Sequence, residues 1–234
     1  MGLINIEAMS TRALLVDIDG TLYHQGRVRL GMMGLLTRAY LFRPIEGRRV
    51  MRALSAYRHA QESLRATPSD PAIPLDQRQL QRAAADCSLT RDYLKQQADR
   101  WMFNEPLALL KKARRAGVAA SFAELKTRGW KIAAVSDYPA SRKLEALELD
   151  VDAIVCAQDP DVQQFKPSSA GVEAALHRLH VDPQSAIYIG DREDVDGAAA
   201  RAARICSIIL KPREPFPTAA TIEATLKPGC SPDG

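Results

Sequence analysis

No stretch of this sequence reaches the roughly 18 consecutive apolar residues that a membrane-crossing helix requires, so no transmembrane segment is expected. The start, Met1-Gly2-Leu3-Ile4-Asn5-Ile6-Glu7, lacks a basic region followed by a long apolar stretch, which argues against a secretory leader. Gly2 does not open a myristoylation signal, because Ile6 stands where Ser or Thr is needed. Cysteine is scarce: the four residues, at 87, 156, 206 and 230, show no paired metal-ligand spacing. Cys156 and Cys206 fall inside apolar, strand-like runs, where a reduced thiol behaves as a small core side chain; a reducing, cytoplasmic compartment is the corresponding expectation. Aromatic residues make up only 6% of the chain, and Tyr40, Phe42 and Tyr57 are the few within its most basic segment. With no zinc spacing and no aromatic-glycine strand pattern there, sequence-specific nucleic-acid binding is not expected. Internal repeats and low-complexity tracts are also lacking.

What the chain has is bulk and uneven charge. Its 234 residues, 46% of them hydrophobic, can bury a core of ordinary domain size, about 130 residues, with room for an insertion. The net charge of +4 is concentrated between Arg27 and Arg65, where nine arginines (27, 29, 38, 43, 48, 49, 52, 58 and 65) face one acid, Glu46, ahead of Glu62. Such a run makes a solvated face or a polyanion-attracting surface, and beside a cleft it would draw in an anionic substrate.

The most informative string is Asp17-Ile18-Asp19-Gly20-Thr21-Leu22, which follows the apolar run Ala13-Leu14-Leu15-Val16. Side chains alternate along a strand, so carboxylates at i and i+2 leave its end together, and Gly20-Thr21 permit the abrupt turn that exposes them. Two carboxylates on one exposed edge make a metal site, or a nucleophile with an acid-base partner. Further apolar runs end in polar clusters: Ile132-Ala133-Ala134-Val135 runs into Ser136-Asp137-Tyr138-Pro139, and Ala186-Ile187-Tyr188-Ile189 into Gly190-Asp191-Arg192-Glu193-Asp194-Val195-Asp196. Between them Lys166-Pro167 precedes a helical stretch. Short apolar runs alternating with helix-period segments predict an α/β fold whose parallel sheet gathers these clusters at the carboxyl ends of its strands.

These four motifs, in this order and strand context, resemble the haloacid dehalogenase-like superfamily, in particular its phosphatase and phosphotransferase members. The resemblance covers about residues 12–26 and 117–210. It implies a Rossmann-like three-layer core, an inserted mainly helical cap, an aspartyl-phosphate intermediate and a bound magnesium ion. On this reading Asp17 is the nucleophile, and Asp19 the general acid and base, with a pKa nearer neutrality than that of a free Asp. Asp17, Asp191 and the backbone carbonyl of Asp19 match the magnesium ligands, while Ser136 and Lys166 match the residues that hold the transferring phosphoryl oxygens. Of the acids after Asp191, Asp196 fits the supporting position better than Asp194, and Glu193 reads as a solvated loop acid. The implied activity is hydrolysis of a small phosphomonoester; a phosphomutase and a catalytically silent scaffold are the rivals. Dehalogenation would need neither Asp19 nor Asp191.

Strands are predicted at 13–18, 132–136, 153–157, 186–190 and 204–210, with helices at 119–126, 139–148, 168–180 and 196–203. The chain divides into core residues 1–26 and 114–212, a helical cap at 27–113 and an irregular tail at 213–234 with a turn of helix near 219–226. About four helices are expected in the cap, interrupted at Pro68-Ser69-Asp70-Pro71. Asp137 is expected to cap the helix that follows it, and Trp101 and Phe103 to pack between cap and hinge.

Overall fold

A computed structural model of the chain describes residues 11–67 and 72–226. The amino-terminal segment, the Pro68–Pro71 break and the last eight residues of the tail, Cys230 among them, lie outside the described residues. Strands β1 (Ala13–Val16), β2 (Lys131–Ser136), β3 (Ala153–Cys156), β4 (Ala186–Gly190) and β5 (Cys206–Ile209) form one all-parallel sheet in the order β3-β2-β1-β4-β5. Leu14 is thereby flanked by Ile132 on one side and Ile187 on the other. Strands buried on both faces read as unbroken apolar runs, and β1 and β4 are buried at every residue.

The alternation of side chains sorts these strands into two cores. Leu14, Val16, Ile132 and Ile189 face the layer holding α6 (Val118–Thr127), α7 (Ser141–Leu147) and α10 (Ala219–Thr225). Leu15, Val135, Val155 and Tyr188 face α8 (Ala170–Leu179) and α9 (Ala198–Ala202). The result is the expected three-layer α/β core. Each fully buried Leu, Ile or Val contributes about 1.5–3 kcal/mol, so these two faces supply most of the drive for folding. Gly129, at φ +78°, ends α6 in the left-handed conformation that a side chain would disfavour.

Between β1 and α6 the described residues build five helices: α1 (Gln25–Tyr40), α2 (Pro44–Arg65), α3 (Leu75–Cys87), α4 (Arg91–Ala98), which runs on into a π-helical turn at Asp99–Asn104, and α5 (Leu107–Ala113). The apolar run from Leu75 to Leu94 is two helices rather than one. Ser88 adopts a left-handed backbone at φ 53°, closing α3, and the Thr90 hydroxyl accepts the Tyr93 amide to start α4. The insertion leaves and re-enters the core side by side: Tyr23 and Arg114 form an antiparallel bridge, the His24 amide donates to Ala113 O and the Arg115 amide to Leu22 O.

One expectation outside the site is revised. Cys206 is disulfide-bonded rather than a reduced core thiol; it sits on β5, the half-buried edge of the sheet, whereas Cys87 and Cys156 are buried and free. The tail is irregular up to α10, as expected, and it is packed on the core: Phe216 is buried against Phe122, and Ala219 and Ile222 of α10 join the same cluster.

Candidate active site

Strand order places β1 between β2 and β4, so whatever leaves the carboxyl end of β1 meets the loops that follow both neighbours. The Asp17 amide still donates to Ile189 O, which extends the ladder one residue beyond β1. The chain then turns: the Leu22 amide donates to Ile18 O and Gly20 takes φ +100°. Only glycine fits this turn, since a Cβ at position 20 would stand 2.0 Å from Asp191 Oδ2. The turn is held from behind by Arg115, buried among backbone carbonyls. It donates to Thr21 O at 2.9 Å, Gly20 O at 2.6 Å and Lys211 O at 3.0 Å, and to Glu214 O.

Residues far apart in sequence meet at this turn. Lys166 Nζ lies 2.5 Å from Asp17 Oδ1, 2.7 Å from Asp196 Oδ1 and 3.2 Å from the Tyr188 hydroxyl. The second oxygen of Asp17 accepts the Thr21 hydroxyl at 3.0 Å. Carboxylate oxygens of Asp17, Asp191 and Asp196 come within 4.8 Å of one another. Asp196, buried at 2% exposure, also accepts the amides of Asp191 and Arg192, while Asp194 is turned outward onto Arg192. Glu193 is likewise on the surface, paired with Arg201. Ser136 ends β2 beside this edge, buried, with its hydroxyl oxygen accepting the Tyr138 amide.

The charges do not balance, which bears on whether a cation fits. Lys166 is one ammonium shared by two buried carboxylates, and its pKa is raised because their attraction outweighs the cost of burial. Asp196 takes the ionised share: burial would raise it, but Lys166 and two backbone amides hold it below the usual carboxylate range. Asp17 is the surplus acid. Burial pushes it up to about 8, against the pull of Lys166 and with help from the charges of Asp196 and Asp19. Asp191 rises to about 6, mainly by burial and next by the Asp196 charge. A pocket with three convergent acids, two of them pushed toward the neutral form, is short of positive charge, and an oxygen-only donor set suits a hard divalent ion.

Asp19 departs from expectation. Lys143 Nζ reaches its two oxygens at 2.7 and 2.6 Å, and the Tyr23 hydroxyl donates to Oδ1. Burial alone would raise this carboxyl, but Lys143 and Tyr23 outweigh it and hold Asp19 below the usual range instead of near neutrality. Lys143 has no motif of its own; its only signal is a lysine two residues into a helix that follows the β2 cluster. Asp137 does not cap that helix. Its Oδ2 accepts Arg65 at 2.5 Å and Gln61 at 3.0 Å, both from α2, and its Oδ1 accepts the Lys166 amide at 3.2 Å, so it ties the insertion to the lysine loop.

Above these groups lies a cavity of about 680 Å³ whose floor is Asp17, Asp19, Lys143 and Lys166. Its walls come from the insertion and mix apolar residues such as Met32, Leu54 and Trp101 with the basic Arg29, Arg58 and His59. Trp101 packs on Tyr40 within the insertion, whereas Phe103 packs on Tyr138 of the loop after β2, and both aromatics also border the cavity.

The sequence profile of the haloacid dehalogenase-like hydrolases matches residues 11–204, most of the chain. The protein belongs to that family. No curated protein sequence matches the chain. Among solved structures, it resembles 2-haloacid dehalogenase from Pseudomonas syringae pv. Tomato DC3000 at 21% identity and TM-score 0.57, with 85% of this chain and 86% of that one covered. CbbY from Rhodobacter sphaeroides in complex with phosphate gives 22% identity and TM-score 0.55, covering 86% of each chain. A HAD phosphatase from Thermococcus onnurineus gives 18% identity and TM-score 0.56, covering 94% of this chain and 99% of that one. At such identities the likeness concerns the fold, which dehalogenases and phosphate-handling members of this hydrolase family share.

Proposed function

We propose that this hydrolase is a magnesium-dependent phosphatase that cleaves a small phosphomonoester through an aspartyl-phosphate on Asp17. The observation that carries the reading is the meeting of Asp17, Asp191 and Asp196 around Lys166, with Asp19 one turn away. Core residues 1–26 and 114–212 carry the chemistry, and the helical insertion at 27–113 shapes the cavity that receives the substrate.

Magnesium, when bound, would neutralise the phosphate and the carboxylates that face it; Asp17, Asp191 and the Asp19 carbonyl would hold it, with Asp196 in support. The protein groups do the rest. Asp17 attacks phosphorus, and the bond to the leaving oxygen breaks as the acyl phosphate forms. Protonated Asp19 gives its proton to that oxygen, then as carboxylate takes one from the water that hydrolyses the acyl phosphate. Lys166 and the Ser136 hydroxyl hold the phosphoryl oxygens, and Asp196 keeps the Lys166 ammonium aimed at Asp17. The second carboxylate also separates this reading from dehalogenation, in which the nucleophilic acid needs neither an acid-base partner nor a metal acid.

The test is a panel of alkyl and aryl phosphates and 2-haloacids, assayed with magnesium and with chelator, for the parent, Asp17→Asn and Asp19→Asn. Phosphate release that needs magnesium and falls at least about a thousandfold in Asp17→Asn is the expected result. Halide release from the parent, or phosphate release that survives Asp17→Asn, would overturn it.

A further inference from the structure

The large hydrophobic side chains that stand exposed among the described residues all fall in one segment: Leu30, Met33, Leu41, Phe42, Ile45 and Met51, on α1, α2 and the turn between them. Phe42 is 91% exposed and Ile45 82%, so the tip of this hairpin projects into solvent with apolar groups uncovered. Scattered exposed leucines are ordinary; a segment that holds the whole set is not. The helical period arranges them, with Leu30 and Met33 on adjoining positions of α1 and Leu41 just past its end, at the tip.

The same hairpin carries the arginine excess. Arg38, Arg43, Arg48, Arg49 and Arg52 are all exposed around the tip, against a single acid, Glu46. Glu46 pairs with Arg43, and Arg49 lies over the Tyr93 ring; Arg38, Arg48 and Arg52 have no ionic partner among the described residues. Exposed apolar side chains at the apex with unpaired cations on the flanking helices suit an interface that is oily within and anionic at its surface.

We infer that the α1–α2 hairpin docks this protein on anionic lipid bilayers, Leu41, Phe42 and Ile45 entering the boundary between headgroups and acyl chains while Arg38, Arg43 and Arg48 meet the headgroups. A second copy of the chain fits the tip poorly, because a two-fold contact there would set arginines against arginines. A projecting tip also matches a fluid surface that can close around it. Met33 and Met51 belong both to this exposed set and to the cavity wall, so docking would turn the apolar side of the cavity toward the lipid. The inference stands apart from the chemistry assigned to Asp17.

The test is co-sedimentation of the full chain with vesicles of phosphatidylcholine alone and of equimolar phosphatidylcholine and phosphatidylserine, at low and high salt. The parent is expected to bind the anionic vesicles about tenfold or more tightly than the neutral ones, with the preference shrinking as salt rises. Phe42→Ser/Ile45→Ser and Arg38→Glu/Arg48→Glu are each expected to weaken that binding by about tenfold or more while leaving the melting temperature unchanged, since these side chains support no core. The inference is overturned if the parent stays in the supernatant with anionic vesicles or if both double variants sediment as the parent does. It is equally overturned if the Phe42/Ile45 variant merely turns a parent dimer into a monomer without any vesicle binding. Hydrolysis of a soluble phosphomonoester, measured on the same samples, reports separately on the phosphatase reading.

Discussion

Lys143 grips both carboxylate oxygens of Asp19, at 2.6 and 2.7 Å, across 124 residues of sequence. The residue proposed to give up and take back a proton is thus held in its ionised form by a buried neighbour.

This contact predicts a pH profile. Protonation of the leaving oxygen needs the acid form of Asp19, which Lys143 disfavours, so Lys143→Met should raise the Asp19 pKa and carry the alkaline limb of kcat/KM to higher pH. Loss of the two-point anchor should also lower kcat by roughly tenfold to a hundredfold. Comparing an alkyl phosphate, whose leaving group needs the proton, with an aryl phosphate, which needs it less, isolates the effect. Superimposable profiles for parent and variant would remove Asp19 from the acid role.

The raised carboxyls of Asp17 and Asp191 make folding depend on pH in a definite direction. Both have folded values, about 8 and about 6, above the ordinary 3.8, so the native state binds their protons more tightly than the unfolded chain does. Stability from this source is complete below the ordinary value and is lost as pH rises through 6 and then 8. The metal-free protein should therefore melt lower at pH 9 than at pH 5. Magnesium, which favours the ionised acids, should raise the melting temperature more at pH 9 than at pH 5. Scanning calorimetry with and without magnesium decides it; a metal-free protein that grows more stable between those pH values contradicts the charge balance drawn here.

Much of the candidate site's assembly is legible in the sequence. Asp17, Asp19, Lys166, Asp191 and Asp196 each end or follow an apolar run, and chain order with strand context is what a parallel sheet converts into proximity. All five strands and the four core helices lie within a few residues of their predicted positions, because runs buried on both faces leave little ambiguity. What escaped was long-range and had no local pattern. Lys143 and Arg115 look like any surface cation in sequence, yet both are buried, since their partners arrive from segments about a hundred residues away. Asp137 matched a helix-capping pattern, but Arg65 and Gln61 of α2, a tertiary contact, outcompete the local one. The split of α3 from α4 turns on Ser88 adopting a left-handed backbone, which serine does too seldom to be foreseen.

Gly20 and Asp191 are packed so closely that a methyl group between them has no room. Gly20→Ala should push the Asp191 carboxylate away and also strain a turn at φ +100°. Magnesium affinity should fall about tenfold to a hundredfold, as when support of a metal ligand is lost. Titration calorimetry with magnesium alone checks this, and an unchanged dissociation constant would take Asp191 out of the ligand set.

Arg115 predicts a loss of stability without any touch on substrate. Arg115→Met keeps the bulk but leaves the carbonyls of Gly20, Thr21 and Lys211 without their donor. The expected cost is about 3 kcal/mol, one to two for each carbonyl that water cannot reach, and urea unfolding measures it. A change below about 0.5 kcal/mol would mean that the C-terminal stretch does not brace the turn after Asp17.

The bridge between Tyr23 and Arg114 has a bearing on how this molecule could be rebuilt. Departure and return of the helical segment are neighbours on a single antiparallel rung, a separation that a two-residue turn spans in ordinary hairpins. A chain joined directly there would keep every strand of the sheet in its place. The segments of other relatives could be spliced at the same rung, so that recognition is exchanged as a cassette while the catalytic floor stays untouched.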